Sequence, residues 1–223
     1  MRSGNEPGSH GDHGGGHHGF RSAEDWAAVL DDSARDAWQQ PERVIDALEL
    51  TPTMTVADVG AGTGYFAVRL AREVPEGTVI ATEVETSMVA HLNERARGDG
   101  LPNLRARVAD RESALAARSV DRILVVHVWH HLADRVAHAR ELASALRSDG
   151  RLYIVEFSVD GSRGPPPGMR LDPARVIAEL EAAALVADLS AIAAPDQYIV
   201  VARRPPAGAD PGCPPLALAG GHP

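Results

Sequence analysis

Lysine is missing from this sequence: all 22 of its non-histidine cations are arginines. We read that as a GC-rich coding bias and attach no function to it. Positive charge as a whole is scarce. There are 31 acids, so the net charge is −9 and the isoelectric point is near 5.5. That balance disfavours a nucleic-acid partner, because affinity for a phosphate backbone needs a basic face. Arg105 with Arg107, and Arg203 with Arg204, are too sparse to supply one. Cysteine occurs once, as Cys213 in a Pro/Gly-rich stretch, which excludes an internal disulfide and a cysteine metal site. Long apolar runs are absent too. "ILVV" is cut off by His127, so no membrane span is expected. "MRSGNEPGSHGDHGGGHHGF" lacks the apolar region that export requires. The expectation is a cytoplasmic protein of bacterial type.

What is present suits one folded domain with tails. The chain has 223 residues, 44% of them hydrophobic, enough for a proper core. Residues 1–20 are Gly/His-rich and are expected to be a disordered tail, since glycine loses the most backbone entropy on ordering. Imidazoles at His10, His13, His17 and His18 suit nickel or zinc. Glycine spacers fix no geometry, however, so adventitious binding is expected and no dedicated metal site is assigned. Residues 206–223 read as a second loose tail. The domain is expected over 21–205 and opens with a helical extension, "SAEDWAAVL" then "PERVIDALEL".

Strand patterns follow: "MTVADVG", "GTVIATE", "LRARVAD", "VDRILVVHV", "GRLYIVEF", "VADLSAI" and "QYIVVARR". Helical patterns at 65–74, 86–97, faintly at 111–118, and at 132–146 separate the first five. "DPARVIAELEAAAL" follows the fifth, with Asp172 as N-cap and Pro173 at the first turn. Alternating apolar strands and helices indicate an α/β fold with a parallel sheet covered on both faces. A last strand reached without a helix suggests an antiparallel hairpin.

In such a sheet a ligand sits at the carboxyl ends of the strands. The first strand ends in "ADVGAGTGYFAVRLA", with Gly60, Gly62 and Gly64 spaced two apart. A pyrophosphate loop wants its third glycine one place later, where this chain has Tyr65. Asp58 beside the loop suits a cationic group such as an ammonium and would repel a pyrophosphate. The bland reading is a capped strand-to-helix turn. The second strand ends at Glu83, 19 residues after Gly64, near the spacing of about 20 for an acid that grips a ribose diol. The third ends at Asp110, either an acceptor for an adenine amino group or a solvated loop acid. The fourth ends in "HVWHHLAD", where His130 and His131 are candidate bases near neutral pH or structural histidines. The fifth ends at Glu156, before a long loop, "SVDGSRGPPPGMR", that could wall a substrate pocket.

Residues 41–204 resemble a class I S-adenosylmethionine-dependent methyltransferase. "ADVGAGTGYFA" is similar to that family's cofactor loop, "VIATEVETSMV" to its ribose-acid segment, and "SVDRILVVHVWHHLAD" to its fourth-strand motif. "LASALRSDGRLYIVEF" is similar to the stretch before and through strand five. Ser148, Asp149 and Gly150 stand there in place of the usual Pro-Gly-Gly. The resemblance implies a Rossmann-like, doubly wound seven-stranded sheet of order 3-2-1-4-5-7-6 with strand 7 antiparallel. It implies S-adenosyl-L-methionine bound by Asp58, Gly60, Gly62, Gly64, Glu83, Asp110 and the backbone at His127. It also implies a small-molecule acceptor, and it is nearest to the ubiquinone/menaquinone and small-molecule methyltransferases. Two alternatives stay open: a dinucleotide-binding oxidoreductase, and a methyltransferase-like fold that binds without catalysing.

Overall fold

The computed structural model describes residues 34–109, 115–192 and 194–206. Asp110, residues 1–20, "SAEDWAAVL" and residues 207–223 lie outside the described residues, as does the first half of the faint 111–118 pattern.

Among the described residues two short helices come first, α1 (Ala34–Gln39) and α2 (Pro41–Asp46). Then β1 (Thr55–Val59), α3 (Tyr65–Glu73), β2 (Thr78–Glu83), α4 (Thr86–Gly98) and β3 (Leu104–Val108) alternate. β4 (Val120–Val126) leads through a 3-10 turn at Trp129–His131 into α5 (Arg135–Ala145) and β5 (Leu146–Phe157). α6 (Pro173–Ala182), β6 (Val186–Leu189) and β7 (Gln197–Arg203) close the domain. The strands form one seven-stranded sheet in the order β3-β2-β1-β4-β5-β7-β6. β7 runs antiparallel to both its neighbours, and the other pairings are parallel. The fold class expected from the sequence, including strand order and the reversed strand, is the one observed.

Period-two alternation explains the two cores. Ala57, Ile123, Leu152 and Val200 face one side of the sheet, against Leu142 of α5 and Leu180 of α6. Val56, Leu124, Tyr153 and Ile199 face the other, against Leu48, Leu70 and Leu92. Side chains such as Leu70 and Leu180 are wholly buried, each worth roughly 1.5–3 kcal/mol relative to exposure. α6 starts as its sequence suggests: Asp172 Oδ1 accepts the Ala174 N–H at 2.8 Å, with Pro173 in the first turn.

Two elements differ from expectation. Residues 115–119 form no helix. Arg118 takes a left-handed φ of 52°, and the N–H groups of Arg118 and Ser119 donate to Ser144 and Ala145 at the end of α5. Tertiary hydrogen bonds there override an alanine-rich helical preference. β5 begins at Leu146, well before "GRLYIVEF". Val120 pairs with Leu146 and Arg122 with Arg151, so Ser148, Asp149 and Gly150 are taken up as a bulge.

Candidate functional site

β1 and β4 are neighbours in the sheet, yet their chain connections leave toward opposite edges. The crevice at the carboxyl ends of those strands is where a doubly wound sheet receives a ligand. It has two sides.

The first side is the glycine loop. Gly60, Gly62 and Gly64 take φ values of 73°, 56° and 89°, which favour glycine. At Gly60 space compels it as well, since a Cβ would stand 2.4 Å from a Val128 methyl. The loop is fastened to β2. The Gly60 and Ala61 N–H groups both donate to the Thr82 carbonyl, at 2.8 and 3.0 Å. Glu83 Oε2 accepts the Gly62 N–H at 2.9 Å, and Oε1 accepts the Val84 N–H at 2.7 Å. A carboxylate has about four acceptor sites, so Glu83 caps the loop and retains capacity for hydroxyl donors. Asp58, only 3% exposed, leaves Oδ2 without a hydrogen-bond partner. Burial pushes its carboxyl up to about 7; the Ala67 backbone N–H opposes this, the charge of Glu83 adds to it, and Arg35 opposes it weakly. A buried, unpartnered oxygen of this kind favours a cationic donor.

Tyr65, where a dinucleotide loop would carry glycine, is buried and holds α1 in place. Its hydroxyl donates to Asp36, whose two oxygens also accept from Arg69 at 3.0 and 3.1 Å. The guanidinium groups of Arg35 and Arg69 lie 3.9 and 4.1 Å from the Tyr65 ring centre. At its other end α1 is tied to β7. The Gln39 side chain donates to Gln197, and the Gln197 amide donates to the Gln39 carbonyl at 2.9 Å.

The second side stands on β4, β5 and α1. His127, directly after β4, has a φ of 55° and donates its backbone N–H to the Val155 carbonyl at 2.9 Å. Its ring stacks 3.7 Å from Phe157 and 6.0 Å from Trp38, and its Nε2 is buried without a partner. Burial, and then the charges of Arg35 and His130, hold the His127 imidazole well below the ordinary range, with Gln197 weakly opposing. Trp129 is fully buried and donates from Nε1 to Glu179 at 3.0 Å. It roots the turn that carries His130 and His131, whose ring centres are 4.0 Å apart. His130 lies against Glu156, Nδ1 to Oε2 at 2.8 Å. The exposed His131 is lowered by burial of its ring and by the charge of His130, against a weaker pull from Glu156.

The loop after β5 is stapled by hydrogen bonds as well as stiffened by proline. Arg170 donates to the carbonyls of Pro165, Val159 and Gly161. Asp196 receives the Ser162 N–H and hydroxyl.

The structure therefore gathers Asp58, the three glycines, Glu83, His127, His130 and His131 at one end of the sheet. Trp38, Phe157 and Gln197 were not marked by any sequence motif. Glu156 stood out only as a strand-closing acid, and the parallel register Val126 with Val155 is what brings it to the histidine turn.

Residues 57–154 match the family model described as "Methyltransferase domain". Methyltransferase GfsG of Streptomyces halstedii is 32% identical over 138 residues, covering 60% of this chain and 48% of that protein. A SAM-dependent methyltransferase structure from Aquifex aeolicus superposes with a TM-score of 0.72 at 27% identity, covering 78% of this chain and 95% of that one. The [4+2]-cyclase SpnF superposes with a TM-score of 0.66 at 18% identity, covering 75% and 80% respectively; that likeness shows the fold alone. The chain spans about half the length of the curated relatives it matches. Residues 57–154 thus carry a domain similar to S-adenosylmethionine-dependent methyltransferases, and the dinucleotide oxidoreductase reading is set aside.

Proposed function

We propose that this chain transfers a methyl group from S-adenosylmethionine to a small-molecule acceptor. The observation that carries the proposal is the unpartnered Asp58 oxygen beside a positive-φ glycine loop whose capping acid, Glu83, keeps acceptor capacity. These residues fit the cofactor. Asp58 suits its ammonium group, Glu83 its ribose hydroxyls, and the loop admits close backbone approach. Val84, 62% exposed, and Val108, 44% exposed, offer apolar surface at the carboxyl ends of β2 and β3, suited to a purine. In this reading Asp110 accepts from the adenine amino group, and the His127 backbone borders the methionine portion.

The cofactor supplies a methyl group already activated as a sulfonium. The protein's main contribution is alignment, which alone can supply roughly 7–11 kcal/mol. A base at the His130–His131 turn would add about 10²–10⁴-fold. The acceptor is taken to be small, in keeping with the likeness to the ubiquinone/menaquinone and small-molecule group, and the reaction is assigned to the cytoplasm. Among the described residues no helix is long and apolar enough to cross a membrane.

Thermal melting with S-adenosylmethionine, S-adenosylhomocysteine and NAD tests the cofactor assignment. Either adenosyl compound should raise the melting temperature, by the equivalent of about 2.7 kcal/mol at a hundredfold excess over Kd, and NAD should not. A shift with NAD alone would overturn the proposal.

A further inference from the structure

His130 and His131 differ sharply in what stands behind them. Nδ1 of His130 lies 2.8 and 3.0 Å from the two oxygens of Glu156. The same carboxylate accepts the His130 backbone N–H at 3.1 Å. Both side chains are shut away from solvent, at 4% and 1% exposure. An ionised carboxylate can only accept. When Glu156 is ionised and the ring is neutral, this pairing puts the proton on Nδ1 and the lone pair on Nε2. No described residue hydrogen-bonds that Nε2. His131 has no such carboxylate contact among the described residues. Aromatic groups complete the setting. Phe157 meets His130 edge-on at 6.3 Å and stacks within 6.1 Å of Trp38. The backbone at Gly164, φ 107°, presses on the Phe157 ring so closely that a Cβ would stand 2.5 Å from it.

We propose that Glu156 is a positioning residue that holds His130 as the general base, and that the acceptor is a hydroxyl compound which gives up its proton as it is methylated. This rests on the methyl-transfer reading above. The chemistry separates acceptor classes. A neutral amine attacks with a lone pair that is already free and sheds its proton afterwards. A hydroxyl is a poor nucleophile until its proton is being removed, so a built base is of most use to it. In the step, an oxygen lone pair forms the new O–C bond while the C–S bond breaks and its electron pair stays on sulfur. The hydroxyl proton passes to Nε2 of His130. The resulting imidazolium is paired with Glu156 and returns the proton to solvent after product leaves.

Two measurements test this. The first needs no acceptor: 15N NMR of labelled histidine should show His130 as the Nδ1–H tautomer. That tautomer should persist in Glu156→Gln, whose amide oxygen still accepts, and become mixed in Glu156→Ala. An Nε2–H tautomer in the wild type would overturn the proposal. The second uses phenol, 4-nitrophenol above its own pKa, and aniline as probes with S-adenosylmethionine. His130→Asn should lower kcat on phenol by about 10²–10⁴-fold and barely affect the nitrophenolate, which has no proton to lose. Glu156→Gln should move the phenol-to-nitrophenolate ratio the same way by a smaller factor. His131→Asn should leave that ratio as in the wild type. Equal losses on both phenols would mean a structural role and would overturn the proposal. Turnover of aniline alone, or of no probe, by protein that binds the cofactor would overturn the hydroxyl assignment. Failure to bind the cofactor at all would instead overturn the methyl-transfer reading beneath it.

Discussion

The two sides of the crevice are built on different principles. The glycine-loop side comes from one continuous strand–turn–helix–strand, and its polar contacts are largely to backbone, as between Glu83 and the Gly62 N–H. The histidine side is put together from the ends of β4 and β5, the loop before α6, and a helix some ninety residues upstream of His127. Its contacts are between side chains: His130 with Glu156, Phe157 with His127, Gln39 with Gln197. A side held by backbone geometry tolerates changes of neighbouring side chains. A side held by side chains can be rebuilt for a new acceptor without disturbing the other, which suits a fold that hosts many chemistries.

The largest test of that contrast is Trp129→Ala. The indole roots the histidine turn in the core and is fully buried. Its loss should cost about 3–5 kcal/mol of stability, read by urea unfolding. A cost below about 1 kcal/mol would show that the histidine side does not depend on the core.

Asp58→Asn sharpens the other side. The folded protein keeps the Asp58 proton up to about pH 7, whereas the free side chain releases it near 3.8. Between those values the folded state holds the extra proton, so this group's contribution to stability is full below pH 3.8 and declines as pH rises through 7. The decline is about 1.4 kcal/mol per pH unit for one group. The variant should lack it, and the difference between the two proteins' unfolding free energies from pH 4 to 7 is the measurement. Buried imidazoles such as His127 slope the opposite way, but they are common to both proteins and cancel. Identical pH profiles would mean that Asp58 is ionised throughout.

Glu83→Ala should have the smallest effect. It removes a charged acceptor for two hydroxyls, weakening cofactor binding by on the order of 1.5–3 kcal/mol, roughly tenfold or more in Kd. It also strips the Gly62 and Val84 N–H groups of their acceptor, so a stability loss of about 1 kcal/mol should accompany it. Unchanged affinity by calorimetric titration would leave Glu83 as a loop cap alone.

The same contrast explains what could be read beforehand. Asp58, the three glycines and Glu83 form a local pattern whose spacing reports its geometry directly. The strand order followed from alternation together with the family resemblance. Glu156 was visible as a strand-closing acid, but its partner depends on the register between β4 and β5, which no spacing encodes. Trp38 and Gln197 are 159 residues apart, and only the folded chain brings them together. The second half of the 111–118 pattern is not helical for the same kind of reason, because Arg118 and Ser119 bond to the distant end of α5.

Tyr65 first stood out as a departure from a glycine pattern. The helix α1 is moored at both ends: Asp36 on Tyr65 and Arg69 at one, Gln39 on Gln197 at the other. Local opening of this segment must break those anchors. Amide hydrogen exchange along Arg35–Gln39 is therefore a gauge of the glycine-loop helix on one side and of the final strand on the other. A single short segment reports on both attachments at once.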